Sequence, residues 1–334
     1  MTWFHDSLEQ LPAADAASAA AVRARADDIL RPHGALQRLD DLAVHMAGWR
    51  RTLTPRVERP AGLVFAGDHG VASDGGVSAY PPAVTAAMLQ ACRTGSATIC
   101  ALAKSVGADL VTVDVGVGNP TGDIRVEPAL TPERFAEIVE VAVAAVGKLD
   151  CDLLVLGEVG IGNTTVAAAL AGSLLGGDAN TWVGRGTGID DAGLERKQRA
   201  VAAVMNRTRG IDDPIELMRI AGGAELTAIA AATIAARLRS IPVVLDGYVV
   251  TSAVLPLHFA NPASLDHCIV GHCSAEPGHR RVLDTIAKPA LLDLGMRLGE
   301  GSGAMISVPI IRAACDAVVN VATFTEWFGD GPAC

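Results

Sequence analysis

The sequence predicts an α/β fold: a parallel sheet with helices on both faces, joined by a small helical domain drawn from both chain ends. Three observations carry that expectation. From Pro60 onward, short apolar runs alternate with alanine-rich segments of helical length, the pattern left by buried parallel strands and their crossover helices. Each run ends in small or polar residues suited to the carboxyl edge of a sheet. Residues 6–52 and 303–328 have helical spacing and lie outside that alternation.

Near the N-terminus, Leu36, Leu39, Leu42, Ala43 and Met46 mark one apolar helical face, because residues three and four apart share a side of a helix. Strands are expected at Gly62–Ala66, Leu110–Val115, Leu153–Gly157, Val243–Asp246 and Cys268–Gly271. Behind them come Gly67-Asp68-His69-Gly70, Asp114 to Gly118, Gly157 to Thr165, Asp246-Gly247 and Gly271 to Ser274. Open α/β sheets bind ligands beyond the carboxyl ends of their strands, so one site is expected where these ends gather. The division that follows is 1–59 for the N-terminal part of the small helical domain, 60–302 for the large α/β domain, and 303–334 for a C-terminal helical part packing with the small domain.

Of the 334 residues, 50% are hydrophobic and 19% charged, enough for a sizeable core and too apolar for disorder. The formal net charge is -10 with Lys and Arg scattered, so the basic stripe of a nucleic-acid-binding protein is absent. A phosphate must then be met locally, by one or two cations and backbone N–H groups. Seven cysteines spread through apolar runs fit reduced thiols rather than a disulfide framework. The start, Met1-Thr2-Trp3-Phe4-His5-Asp6, has neither the cationic nor the apolar stretch of a secretory signal. The alanine-rich stretches are broken before the roughly 20 apolar residues of a bilayer span. A cytoplasmic protein without a membrane or nucleic-acid partner is expected.

The run Gly157-Glu158-Val159-Gly160-Ile161-Gly162-Asn163-Thr164-Thr165 leads from an apolar strand into helix-forming Val166–Leu170. Its glycines admit close backbone approach, Asn163 or Thr164 can cap the helix, and the first-turn N–H groups can face an anion. An ordinary strand-to-helix turn has the same composition. The run is neither a Walker loop nor a Gly-x-Gly-x-x-Gly fingerprint. A second cluster, Gly184-Arg185-Gly186-Thr187-Gly188, precedes Asp190, Asp191 and Lys197. Either Asp can start a helix that displays Lys197 two turns along, beside a phosphate or on a solvated face.

Glu300 stands between Gly299 and Gly301 ahead of an apolar helix, as a general base or as a carboxylate that stabilises a helix start. His267, Cys268, His272, Cys273, Glu276 and His279 crowd together in sequence. Without a Cys-x-x-Cys pair, and with strand alternation sending neighbours to opposite faces, they fit substrate contacts or core hydrogen bonds better than a metal site. Asp68 and His69 are adjacent, and adjacent side chains seldom converge; a turn-stabilising Asp is the plainer reading. No Gly-x-Ser-x-Gly or His-Glu-x-x-His run supports hydrolase chemistry.

Together these blocks resemble the nicotinate-nucleotide:dimethylbenzimidazole phosphoribosyltransferases, which activate the lower-ligand base of cobalamin. The resemblance runs in order from Gly67 to Ala304, through Gly67-Asp68-His69-Gly70-Val71, Gly76-Val77-Ser78, the Gly157–Thr165 run, Gly186-Thr187-Gly188, Asp246-Gly247, His272-x-Ser274-x-Glu276-x-Gly278-His279, and Gly299-Glu300-Gly301 with Gly303-Ala304. It implies a Rossmann-like sheet in the catalytic domain, a homodimer, and a reaction. Nicotinate mononucleotide and 5,6-dimethylbenzimidazole give α-ribazole 5′-phosphate, nicotinate and a proton.

The resemblance also implies residue roles. Glu300 is the catalytic base. Gly160, Gly162, Asn163, Thr164, Gly186 and Lys197 fall at the donor phosphate; Glu158, Ser78, Tyr80, Pro81, Ala87 and Leu298 fall at the acceptor-base pocket. Asp68, Asp246, His272 and Ser274 fall at the ribose or just behind it. Small-molecule substrates are the implied partners, with no metal and no cofactor, because a pyridinium leaves readily without Mg²⁺ or an acid. Ala87 stands where many relatives carry Gln, and Val159 where Met is usual. Both shorten a side chain, so tolerance for azoles beyond dimethylbenzimidazole is expected. The competing readings are the same donor with another acceptor or water, and a nucleotide-binding relative without catalysis.

Overall fold

The computed structural model describes residues 1–74 and 76–329. Its strands β1 (Pro60–Gly67), β2 (Asp109–Gly116), β3 (Leu153–Val159), β4 (Val243–Leu245) and β5 (Cys268–Val270) form one sheet in the order β2-β1-β3-β4-β5. Every pairing is parallel. Strands β1 and β3 are buried along their whole lengths, which is why they read as unbroken apolar runs rather than alternating ones. Alternation sorts the side chains all the same. Leu63, Phe65, Leu154 and Leu156 join one core, while Val64, Ala66, Leu153 and Val155 join the other.

The helices follow as α1 (Thr2–Glu9), α2 (Ala16–Asp28), α3 (Arg38–Arg50), α4 (Val84–Arg93), α5 (Thr98–Val106), α6 (Pro132–Gly147), α7 (Asn163–Leu175), α8 (Ala179–Trp182), α9 (Asp191–Arg207), α10 (Pro214–Ala221), α11 (Ala224–Leu238), α12 (Tyr248–Ala260), α13 (His279–Thr285), α14 (Ser302–Val319) and α15 (Phe324–Phe328). Side chains of α6, α7, α11 and α12 pack in the core with Leu63 and Phe65. Those of α4, α5 and α14, with Met46 of α3, pack in the core with Val64 and Val155. Helix α11 is buried from Ala224 to Arg237; its alanines let it lie close to α6, α12 and the sheet at once.

The two chain ends meet. Val22 and Ala26 of α2, Ile29, and Ala43 and Ala47 of α3 form a small core with Val318 of α14. Arg25 donates to the Val318 carbonyl at 2.9 Å. Helix α14 also lies on the sheet through Met305, Val308 and Ile311, so one continuous helix serves both packing regions. It is long and apolar enough by composition to cross a membrane, and here its apolar side chains are spent on these two cores. Residues 330–334 of the expected C-terminal part lie outside the described residues.

Strand boundaries depart from the expected ones at the end that matters. Strand β3 runs on to Val159, so Glu158 and Val159 belong to the sheet and not to the turn. Strand β4 ends at Leu245, one residue before Asp246, whose carboxylate accepts from the Ala304 amide of α14 at 2.8 Å. With β2 and β3 on opposite sides of β1, the chain reverses its direction of build between β1 and β3. A crevice opens at such a switch point.

Candidate active site

Beyond the carboxyl ends of β1, β3 and β4 lies a cleft of about 420 Å³. Its polar end is built on the turn after β3. A methyl on Gly160 would sit 2.8 Å from the Gly67 carbonyl oxygen and 3.0 Å from both the His69 and Glu225 side chains, so only glycine fits. Gly162, at φ +95°, is the N-cap of α7 and leaves that helix start without a side-chain cap. The expected cap by Asn163 or Thr164 is therefore corrected. Asn163 instead donates to the Glu158 carboxyl, and Thr164 lines the cleft.

Lys197 stands directly behind Thr164. Its Nζ donates to Thr164 Oγ1 at 2.8 Å and to the Gly184 carbonyl at 3.1 Å, and only 1% of the residue is exposed. The solvated-face alternative is excluded. Burial pulls its pKa down to about 8, with Glu276 acting in the opposite sense. The helix that carries it starts at Asp191, with Asp190 as N-cap accepting from the Gly193 amide at 2.7 Å. Gly186 lines the cleft, and its amide donates to Glu276 at 3.1 Å.

The other end carries two carboxyls against an apolar wall. Glu300 has φ +63° between Gly299 at +86° and Gly301 at +82°, three successive residues in the left-handed region that favours glycine. Its amide donates to the Glu158 carbonyl at 3.1 Å. A methyl on Gly157 would collide with the Glu300 carbonyl oxygen, so this glycine lets the loop seat on β3. The Glu300 Oε2 accepts from the Ile99 amide at 3.2 Å. Burial raises the Glu300 pKa, the Ile99 amide opposes that, and Asp246 adds to it; the net shift is upward. Glu158 is raised well above its ordinary value, first by burial, then by Asp246 and Glu225, against the hydrogen bond from Asn163. Two like groups share the cleft with unequal affinities for a proton.

Val84 and Met88 of α4 and Val159 of β3 form the apolar wall, and Tyr80 and Leu298 stand at its mouth, each about half exposed. Ser78 lines the cleft with its hydroxyl 3.2 Å from that of Thr187. Asp246, His272 and Ser274 line it as well, with His272 Nε2 3.4 Å from Asp246 Oδ1. Pro81 and Ala87 are exposed and are not part of the lining: α4 turns Val84 and Met88 inward, and position 87 falls outside that pair. Asp68 also lies off the lining, accepting from the Gly118 amide at 2.7 Å. His69 turns away from it to Glu225 at 2.6 Å.

The His-and-Cys stretch separates in space. His267 bonds the Thr233 carbonyl at 3.0 Å and His279 accepts from the Ser274 amide at 2.7 Å, while His272 faces the cleft. Sequence reasoning did not single out several of the lining residues as site residues, among them Met88, Glu276 and Arg297. The spacing of Val84 and Met88, one helical turn apart, was the available signal for the first. Glu276 lay inside the His272–His279 block, and Arg297 next to Leu298.

A phosphoribosyltransferase family model matches residues 11–327. The chain belongs to the phosphoribosyltransferase family. This phosphoribosyltransferase is 46% identical over 317 residues to the nicotinate-nucleotide–dimethylbenzimidazole phosphoribosyltransferase of Mesorhizobium japonicum, covering 95% of this chain and 94% of that protein. It is also 46% identical to the enzyme of the same name from Methylocella silvestris, over 96% and 93% of the two chains. The crystal structure of CobT from Thermus thermophilus superimposes on it with a TM-score of 0.89 at 36% identity, covering 95% of this chain and 100% of that one. The parallel-sheet fold of the phosphoribosyltransferase is thus shared along nearly its whole length.

Proposed function

We propose that this enzyme transfers the phosphoribosyl group of nicotinate mononucleotide to 5,6-dimethylbenzimidazole or a related azole, with inversion, giving α-ribazole 5′-phosphate and nicotinate. The observation that carries the reading is the polarity of the cleft: a carboxyl at its apolar end, and a helix start backed by a buried cation at its other end. A flat azole suits the first and a phosphate the second. The relatives named for this reaction match nearly the whole chain.

In this reading Gly160, Gly162, Asn163, Thr164 and Gly186 hold the donor phosphate, with Lys197 as the cation behind them. Val84, Met88, Val159, Tyr80 and Leu298 hold the acceptor ring. Asp246, His272 and Ser274 stand along the cleft between those ends, on the ribose side. One acceptor nitrogen forms a bond to the ribosyl carbon from the face opposite the pyridinium. The pyridinium–carbon bond breaks with its electron pair returning to the ring nitrogen, and nicotinate leaves neutral at that nitrogen. The acceptor's second nitrogen gives its proton to Glu300. Most of the remaining acceleration comes from holding the two rings in line.

Replacing Glu300 by Gln keeps the size and the acceptor for the Ile99 amide while removing the base. Product formation, followed by mass spectrometry, is expected to fall by about 10²–10⁴-fold; transfer at the parental rate would refute the role. The division into a catalytic domain over 60–302 and a helical part from both ends belongs to the same reading and is supported by the packing of α2 and α3 with the end of α14. Assembly as a homodimer belongs to it through the family resemblance.

A further inference from the structure

We infer that helix α5 is the positioning element of the base: the Ile99 amide at its start holds the Glu300 carboxylate in place and keeps it, and not Glu158, the carboxyl that receives the acceptor's proton. The inference rests on the role of Glu300 proposed above.

Helix α5 begins without a cap of its own. Its N-cap residue is Ala97, with φ -78° and ψ 159° and no side-chain hydrogen bond. That backbone is the one from which Ser, Thr or Asp would satisfy a first-turn amide. The missing partner is supplied from 201 residues away by Glu300 Oε2. Ile99 is itself fully buried, so the amide is carried on a fixed support. The loop bearing Glu300 is held by the Glu158 carbonyl and seated on Gly157. The carboxylate is thus pinned from its backbone and from its tip.

The groups facing Glu300 make that amide consequential. Asp246 after β4, Glu158 on β3 and Cys92 on α4 are all acidic groups that interact with it. Of the basic side chains lining the cleft, Arg297 of the same loop donates to the Gly186 carbonyl, and the His272 ring lies against Asp246. Ionisation of Glu300 is therefore supported chiefly by the start of α5, where N–H groups and the helix dipole favour negative charge. Among the described residues Glu158 has only the side-chain amide of Asn163, and it faces Asp246, Glu225 and Glu300. Of two carboxyls in one cleft, the helix start stabilises the anion of one, so their proton affinities separate.

The test installs a competing cap. In Ala97→Ser and Ala97→Asp, the new side chain accepts from the first-turn amides of α5 and releases Glu300. A better cap holds or raises thermal stability, so stability and activity are expected to move in opposite directions. With nicotinate mononucleotide and dimethylbenzimidazole saturating, the acid limb of kcat should move up by about half a unit in the Ser variant, roughly a three-fold loss below the limb. The Asp variant adds a like charge and should move it by about one unit, roughly ten-fold. Donor KM should stay at the parental value. Titration of the azole itself is common to all the enzymes and cancels in the comparison.

A folded Ala97→Ser enzyme with the parental pH profile overturns the inference, and it carries the test alone if the Asp variant does not fold. Glu300→Gln separates the two levels. If that variant is slow while the Ala97 variants keep the parental limb, the positioning role is wrong and the base stands. If it transfers at the parental rate, the base assignment itself falls.

Discussion

Lys197 shows how much of a residue's meaning lies in its direction. On a solvated helix face a lysine contributes little; desolvated, with Thr164 and Gly184 taking its hydrogen bonds, its ammonium gains strongly from an arriving phosphate. Lys197→Ala should raise donor KM by about 10- to 100-fold, the equivalent of ~1.5–3 kcal/mol for a hydrogen bond to a charged group, while kcat changes less. Burial has lowered its pKa to about 8, so the cation is present below that pH and is lost above it. The donor kcat/KM of the parent should therefore decline as pH rises through about 8, and the decline should vanish in the variant. An unchanged KM would leave Lys197 with a purely structural role. The distance from Asp190 to Lys197 was legible in the sequence as two helical turns. The sequence leaves its direction open between a phosphate and a solvated face, although Val201 and Val204 on the same face of α9 carry the signal for burial. The hydrogen-bond partners of Lys197 were not legible, because they come from α7 and the Gly184 loop, which only the packing of α7 on α9 brings together.

At the level of elements, strands were legible and their functional ends were not. Unbroken apolar runs mark β1 and β3, yet nothing in a run says that Glu158 and Val159 still belong to the strand. The start of α7 misled for a related reason: Gly162 in the left-handed region takes the N-cap position, which frees Asn163 to reach Glu158. Helix α4 redistributes the acceptor question. Ala87 points away from the lining, whereas Val159 borders it beside Val84 and Met88. Val159→Met should therefore narrow the acceptor range, changing the ratio of kcat/KM for dimethylbenzimidazole over unsubstituted benzimidazole by about ten-fold. Ala87→Gln should change that ratio less. A competition assay in which the two substitutions act equally, or in which Val159→Met leaves the ratio alone, would remove Val159 from the acceptor wall.

For the whole molecule, the order of the strands was beyond the sequence. All five runs are apolar and pair in parallel, and their sequence of placement depends on which crossover helices find room on which face. The switch point between β1 and β3 follows from that order, and so does the gathering of residues as distant in the chain as Ser78 and Glu300. Homodimer formation is a prediction at this scale: sedimentation velocity should give a species of twice the chain mass at micromolar concentration, and a monomer throughout would reject it. The seating of Glu300 on Gly157 also sets a timetable. During synthesis the turn after β3 and the start of α9 emerge well before the Gly299–Gly301 loop, so the parts of the cleft are made far apart in time. Non-local pairings of this kind form slowly. The cleft is thus closed only when the loop bearing Glu300 has folded back onto β3.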